Sequence, residues 1–368
     1  MKILQVCSAD EMGGGEVHVA DLVRALASRG HTIHLAVRPD SPLREPLSGV
    51  LAEWHEMPLR NSLDVQSARA MTEVIKAHEI DIVHAHVGRD YLVAALACRQ
   101  AAAAKLVLTR HHYLPLNRSA IYRWLLGDVA AVIAVSDSVR ESVLERLQLP
   151  PGRVRTIPNW IDPARFQHIE RDGARAMFGL RGNIVVACIG QLAEAKGQEE
   201  FVRAAARVAQ MRPDVEFVLA GEESAAGKPF TAQLARIAES VGLAAKLKFL
   251  GHVQNIPDLL AAVDVVVVPS WDEGFSLVTI EALAARRAVL GSNVGGIAGI
   301  IRDNQNGLLC APRDVHALTD KLLWLVSDPP LRERLAVQGQ RDVYSRFGRE
   351  QVIDQIEALY LDVLGRAP

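Results

Sequence analysis

The chain alternates two hydrophobic periods. Short apolar runs suit buried strands, and between them lie stretches with apolar positions three and four apart, which suit amphipathic helices. In the first half the pattern predicts strands over 2–7, 32–37, 82–85, 106–109, 131–135 and 154–157. Helices are predicted over 16–28, 64–79, 91–104 and 137–147. The first carries apolar residues at 17, 19, 22, 23 and 26, and Gly30 stops it. Pro158-Asn159-Trp160-Ile161-Asp162-Pro163 then has two prolines and little periodicity, the look of a linker. The alternation restarts with strands expected at 184–189, 215–220, 246–250, 263–268, 289–291 and 307–310. After Pro312 the chain reads as helical, near 315–327, 331–340 and 349–364. Strands alternating with helices imply two parallel, doubly wound α/β domains. Their strand ends are expected to line a cleft, a favoured place for ligands.

The stretch 263–283, VDVVVVPSWDEGFSLVTIEAL, is the most informative. It reads as a buried strand, a loop and the first turns of a helix. Ligands of open α/β sheets sit past the carboxyl ends of such strands. A helix starting there offers unpaired amides and a partial positive charge, which suits a phosphate. Glu273 in the loop and Glu281 in the helix then flank that anion and can take hydroxyls. Two carboxylates around an anion site suggest a sugar, a diphosphate and a ribose, the plain alternative being a capped helix start with two surface glutamates.

Size and composition narrow the function without deciding it. The 368 residues allow about two domains. A net charge of -2 gives no bulk attraction for nucleic acid, and 5% aromatic residues argue against base-stacking platforms. Cys7, Cys98, Cys188 and Cys310 are scattered with no CxxC pair, as expected of buried thiols in a reducing compartment. The first apolar run is too short for a signal-peptide core, and no later one suits a bilayer span, so cytoplasmic residence is expected.

Further residues suggest chemistry. Gly13-Gly14-Gly15 follows the first strand and lets backbone approach a ligand closely. A dinucleotide fingerprint fails there, because GxGxxG is not matched and Asp40 follows a proline. A glycine turn without a ligand and a loop touching a sugar phosphate both remain, the second fitting better. Lys196, in GQLAEAKG, can meet a phosphate as a point charge, although a surface lysine is the plain alternative. His84 and His86 stand two apart at a strand end, so alternation puts both on one face. One is expected to be packed and the other exposed to the cleft. His111, beside Arg110, ends another strand of that sheet and is expected near His86. Without a third ligand evident nearby in sequence, these are read as sugar-side or structural histidines and not as a metal pair. The stretch 113–126, with Arg118, Tyr122, Arg123 and Trp124, could rest on an anionic membrane, but packing on the domain core is preferred.

Taken together, GGGEVHVADLVRALASRGH, DIVHAH, TRHH, AVSDSVRESV, IPNWIDPARF, GQLAEAKGQ, the glutamate motif and GGIAGIIRDNQNGLL resemble the retaining GT-B glycosyltransferases of family four over almost the whole chain. The resemblance implies two Rossmann-like domains facing a central cleft: 1–162 for the acceptor and 163–348 for the nucleotide sugar. The last helix, within 349–368, would return to the first domain. Hexose transfer from a nucleoside-diphosphate sugar to a sugar, lipid-linked or small-molecule acceptor follows, with no cofactor and no metal.

Carried over, Glu281 would bind the ribose and Glu273 the donor sugar. Amides at Gly274, Phe275, Ser276 and Leu277 would hold the diphosphate with Lys196, and Val253 would lie beside the base. Gly14 and Gly15 would close on the phosphate and sugar, and His86 would sit by the transferred sugar. His84, His111 and Arg110 are acceptor-side candidates. Gln191 stands where the family commonly has Arg, removing one positive charge. Ala298-Gly299 replaces the usual Pro-Glu, so that loop is expected to be looser. A sugar-nucleotide epimerase and a non-catalytic nucleotide-sugar binder are the competing readings.

Overall fold

Strands buried on both faces need helices on both sides, and a parallel sheet supplies them through its crossovers. The computed structural model, which describes residues 1–112, 119–167 and 170–366, shows two such sheets. The first has strands β1 (Lys2–Cys7), β2 (Thr32–Val37), β3 (Ala52–Glu56), β4 (Ile82–Ala85), β5 (Lys105–Arg110), β6 (Ala131–Ala134) and β7 (Val154–Thr156). They lie in the order β3-β2-β1-β4-β5-β6-β7, all parallel. The second has β8 (Ile184–Ile189), β9 (Val215–Ala220), β10 (Leu247–Gly251), β11 (Val265–Val268), β12 (Ala288–Ser292) and β13 (Leu308–Cys310). Its order is β10-β9-β8-β11-β12-β13, again parallel. Chain order therefore reverses between β1 and β4 in one sheet and between β8 and β11 in the other. Such switch points open a crevice at the carboxyl ends of the strands.

The chain divides into two compact units, Met1–Asn159 with Glu350–Pro368, and Trp160–Arg349. The helix Arg349–Val363 belongs to the first because its side chains bind there. Arg29 pairs with Glu350 and Asp354, each at 2.6 Å, and with Glu357. The buried Tyr360 hydroxyl is hydrogen-bonded to His84 Nδ1 at 2.6 Å. The second unit has its own core, in which Phe201 packs edge-on against Phe217 between β8, β9 and the helices Gln198–Met211 and Val315–Ser327.

Three expectations change. The strand β3 was not expected: its sequence AEWHE is polar and mostly accessible, because an edge strand need not bury both faces. Asn159, Trp160 and Ile161 of the expected linker are buried. Ile161 forms a parallel bridge with Gly348, its amide donating to Phe347 O at 2.9 Å, so this segment is packed and paired. The helix expected near 331–340 runs over Pro329–Arg346, since prolines at its start cost no helical hydrogen bond.

Candidate functional site

At the switch point of the second sheet, the loops leaving β8 and β11 are tied together. Glu194–Lys196 forms one tight turn that Gly197 closes with φ +72°. A Cβ at Gly197 would stand 2.1 Å from Pro269 O, so glycine is required for the two loops to touch. Trp271 N donates to Ala195 O at 2.8 Å, and Trp271 Nε1 donates to Glu200 Oε1 at 2.9 Å. The Arg313 guanidinium covers the indole of Trp271 at 3.9 Å. Within this frame Lys196 Nζ donates to Glu273 Oε2 at 2.7 Å, and Ser270 Oγ donates to the same oxygen at 3.3 Å.

Beyond Glu273 the chain enters the helix Leu277–Ala284. Ser276 is its N-cap; its Oγ accepts from Thr279 N at 3.3 Å and from Thr279 Oγ1 at 2.8 Å. Gly274, Phe275 and Ser276 are buried, and Phe275 packs edge-on to Phe347 at 5.6 Å between ring centres. Gly296 N donates to Glu273 O at 2.8 Å. A Cβ at Gly296 would come within 2.4 Å of Gly274 O, which shows how closely the next segment presses on this loop. That segment, expected to be looser, forms the helix Gly295–Ile300, with Ile297 and Ile300 buried. Two large side chains in the core hold it without the usual Pro-Glu. Glu281 lies half-buried in the helix Leu277–Ala284. Gln191 Nε2 donates to Ser224 Oγ at 3.0 Å, a neutral contact at the position where the resemblance puts an Arg in most family members. Val253 follows β10, two strands from β8 along the same carboxyl edge.

The switch point of the first sheet carries histidines. Glu16 Oε2 accepts from Gly13 N at 3.0 Å, closing the turn where Gly14 and Gly15 begin the helix Gly14–Ser28. His84 and His86 do share a face, their rings 4.1 Å apart. Both are buried, so the expectation that one is exposed is corrected. Gln5 from the neighbouring strand explains why: its Oε1 is 2.7 Å from His86 Nε2. His84 is held by Tyr360 and by Thr109 Oγ1, each at 2.6 Å. His86 and His111 come together with ring centres 6.1 Å apart, and Gly15 sits under His111, where a Cβ would be 3.9 Å from Cδ2. Arg110 is buried at the end of β5, its Nη1 3.3 Å from where a Gly88 Cβ would lie.

Sequence reasoning passed over His18. It lies on the buried face of the helix Gly14–Ser28, 5.0 Å from the ring of His111 and 6.3 Å from that of His86. It is therefore the third partner that was not evident in the sequence, and the three rings bring ligand atoms within 4.8 Å of one another. A histidine at an inward helical position was the available signal. Among the described residues, His86 Nδ1 and both ring nitrogens of His111 are buried without a hydrogen-bond partner. Burial pushes the His84 and His111 imidazoles down to about 3, and it pushes His18 and His86 well below the ordinary value, so all four are neutral. Asp90 accepts from Ser8 N at 2.9 Å, and burial raises its carboxyl to about 6.

Of the stretch 113–126, residues 113–118, including Arg118, lie outside the described residues. In the helix Ala120–Leu126, Tyr122 and Leu126 are buried, while Trp124 is exposed under the Arg99 guanidinium at 4.1 Å. No helix among the described residues is long and apolar enough to cross a membrane.

Residues 12–165 match glycosyltransferase family 4, and residues 174–342 match glycosyl transferases group 1. A lipopolysaccharide core biosynthesis mannosyltransferase, LpcC, from Rhizobium leguminosarum bv. viciae is 32% identical over 68% of this chain and 69% of its own. The N-acetyl-alpha-D-glucosaminyl L-malate synthase of Bacillus anthracis is 25% identical over 96% of this chain and 95% of its own. In fold, the chain is similar to Anabaena HepE, crystallised with UDP, at a TM-score of 0.86 and 24% identity over 97% and 98% of the two chains. Two doubly wound parallel sheets, and relatives that match both halves, give one conclusion: this chain belongs to glycosyltransferase family 4, with the GT-B fold.

Proposed function

We propose that this chain is a retaining hexosyltransferase that moves a sugar from a nucleoside diphosphate to an acceptor hydroxyl in glycoconjugate synthesis. The observation that carries the reading is the Lys196–Glu273 pair at 2.7 Å, set beside the amino end of the helix Leu277–Ala284 at the second sheet's switch point. The bond from the anomeric carbon to the diphosphate breaks as negative charge grows on the departing oxygen. Lys196 and the amides from Gly274 to Leu277 meet that charge. The acceptor oxygen bonds to the same face of the carbon, and its proton passes to the departing phosphate. With charge met in this way, the step is read as metal-independent. Glu273 orients Lys196 and takes a donor-sugar hydroxyl; Glu281 takes the ribose. Val253 borders the base, and Gln191 orients the loop without adding charge. In the first unit Gly14, Gly15, His86, Arg110 and His111 serve the sugar and acceptor side, a neutral imidazole nitrogen being able to accept a hydrogen bond from a sugar hydroxyl. His84, buried with both ring nitrogens bonded to Tyr360 and Thr109, packs behind His86 and is not itself an acceptor contact.

Known proteins support this reading coarsely. HepE was crystallised with UDP and with UDP-glucose, and the relatives include a lipopolysaccharide mannosyltransferase. On this reading the enzyme works in the cytoplasm, with 113–126 as its contact where the acceptor is lipid-linked; sedimentation with anionic vesicles checks that contact. A thermal-shift screen against nucleotide sugars identifies the donor, since a ligand of the native state raises the melting point. Donor consumption is then followed with and without sugar, lipid-linked and small-metabolite acceptors. Acceptor-dependent release of the nucleotide, with the anomeric configuration kept in the product, is expected. Acceptor-independent formation of a free or epimerised sugar would favour the epimerase, and binding without turnover would leave a nucleotide-sugar binder.

A further inference from the structure

We propose that His34, Glu53, His55 and His78 form a zinc site at the β2–β3 edge of the first sheet. Parallel register sets His34 opposite Glu53 and Ala36 opposite His55, so the side chains of His34, Glu53 and His55 share one face. His78 is the last residue of the helix Val65–His78 and closes over that face. The ring of His34 lies 5.3 Å from that of His55 and 4.7 Å from that of His78.

The spacing of donor atoms is the main argument. Tetrahedral zinc, with bonds of about 2.0–2.1 Å, holds its ligand atoms about 3.3 Å apart. Here His34 Nδ1 is 3.1 Å from His55 Nε2 and 3.5 Å from Glu53 Oε2, and His78 Nδ1 is 3.5 Å from the same carboxylate oxygen. All four donors lie within 4.8 Å of one another. A hydrogen bond between His34 and His55 and imidazole–carboxylate contacts to Glu53 account for these distances two at a time, whereas one ion accounts for all four donors facing a common point. Three imidazoles and one carboxylate suit zinc among the common divalent ions.

The electrostatics agree. His34 is buried, and burial lowers His34 and His55 from their ordinary value, which keeps both imidazoles neutral as ligation demands. Lys2 is nearby, but its ammonium is paired with Glu79 at 2.9 Å. The site joins β2, the exposed edge strand β3 and a helix end, three elements that an ion would pin together. None of its residues belongs to the loops at the β1–β4 switch point, so its role is structural and does not depend on the transferase reading.

Tag-free protein stripped with a chelator is titrated with Zn²⁺ alone against a chromogenic competitor. About one zinc per chain is expected, with a raised melting temperature. The double variant His55→Gln/His78→Gln should bind about a hundredfold more weakly, and Glu53→Gln about tenfold, with unchanged far-ultraviolet circular dichroism. Because Glu53 is half exposed, its variant keeps the test open if the double variant fails to fold. No zinc uptake by the wild type would overturn the proposal. So would equal uptake by the folded variants, or loss of zinc in His111→Gln alone, which would move the ion to the His18–His86–His111 group.

Discussion

The ammonium of Lys196 donates to a carboxylate oxygen of Glu273 across 2.7 Å, joining the loops that leave β8 and β11. The pair is partly open to solvent, with Lys196 33% and Glu273 15% exposed. Ion pairs in such settings add at most about 1 kcal/mol to stability. Lys196→Ala should therefore move the melting temperature by only a few degrees while slowing transfer about a hundredfold or more. Melting curves and kcat measured on one preparation decide this. A rate loss no larger than the loss of stability explains would assign the pair to structure alone.

On the proposed reading Glu281 is a different case, since it would hold the ribose equally in ground and transition states. Glu281→Ala should raise the Kd for the free nucleoside diphosphate by about ten- to a hundredfold, the worth of charge-assisted hydrogen bonds. Turnover at saturating donor should fall less. Calorimetric titration beside steady-state kinetics separates the two, and an unchanged Kd would remove Glu281 from the nucleotide site.

Gly296 allows the helix Gly295–Ile300 to press on the glutamate loop. In Gly296→Ala the new Cβ would meet Gly274 O at 2.4 Å and Phe275 Cα at 2.7 Å, both backbone atoms that cannot swing aside. The variant should lose about 1–3 kcal/mol of stability and much of its nucleotide affinity. Wild-type affinity in a folded Gly296→Ala protein would show that the loop's position does not govern binding.

Acid should weaken the first unit through its histidines. The unfolded chain protonates imidazoles near the ordinary 6.5, whereas burial holds His84 and His111 neutral down to about 3 and depresses His18 and His86 as well. The unfolded state thus binds more protons below 6.5, and stability falls as the pH falls through 6.5 toward 3. Each imidazole still neutral at pH 5 costs about 2 kcal/mol there relative to neutral pH. Asp90 works the other way, because its raised carboxyl, near 6, favours the folded state as pH falls from 6 toward 4. Four imidazoles against one carboxyl leave the histidines dominant. Denaturant midpoints at pH 7 and pH 5 check the sign, and equal midpoints would mean that these rings are protonated in the fold.

Much of the fold was legible because strands buried on both faces write themselves as apolar runs. Val265–Val268 is four valines, and Ile184–Ile189 is buried throughout. The polar edge strand Ala52–Glu56 left no such trace, and with it the grouping of Glu53 and His55 with His34 and His78 went unread. Local pattern also marked Lys196, Glu273 and Glu281, since each follows a strand end where a parallel sheet collects its ligands. Their meeting was not local: Lys196 and Glu273 stand 77 residues apart, and only the order β8–β11 makes their loops neighbours.

By itself, then, the sequence determined most of the strands and helices, the polar edge strand β3 excepted, that the sheets are parallel, and which residue types end up at the strand ends. These follow from periodicity and backbone chemistry, which act over a few residues. Only the tertiary structure decided that His18 joins His86 and His111, that both strand-end histidines are buried, and that residues 159–161 are buried with Ile161 paired to Gly348. Those outcomes depend on which distant segments cover a side chain, and burial and pairing are properties of neighbours in space that no stretch of chain carries alone.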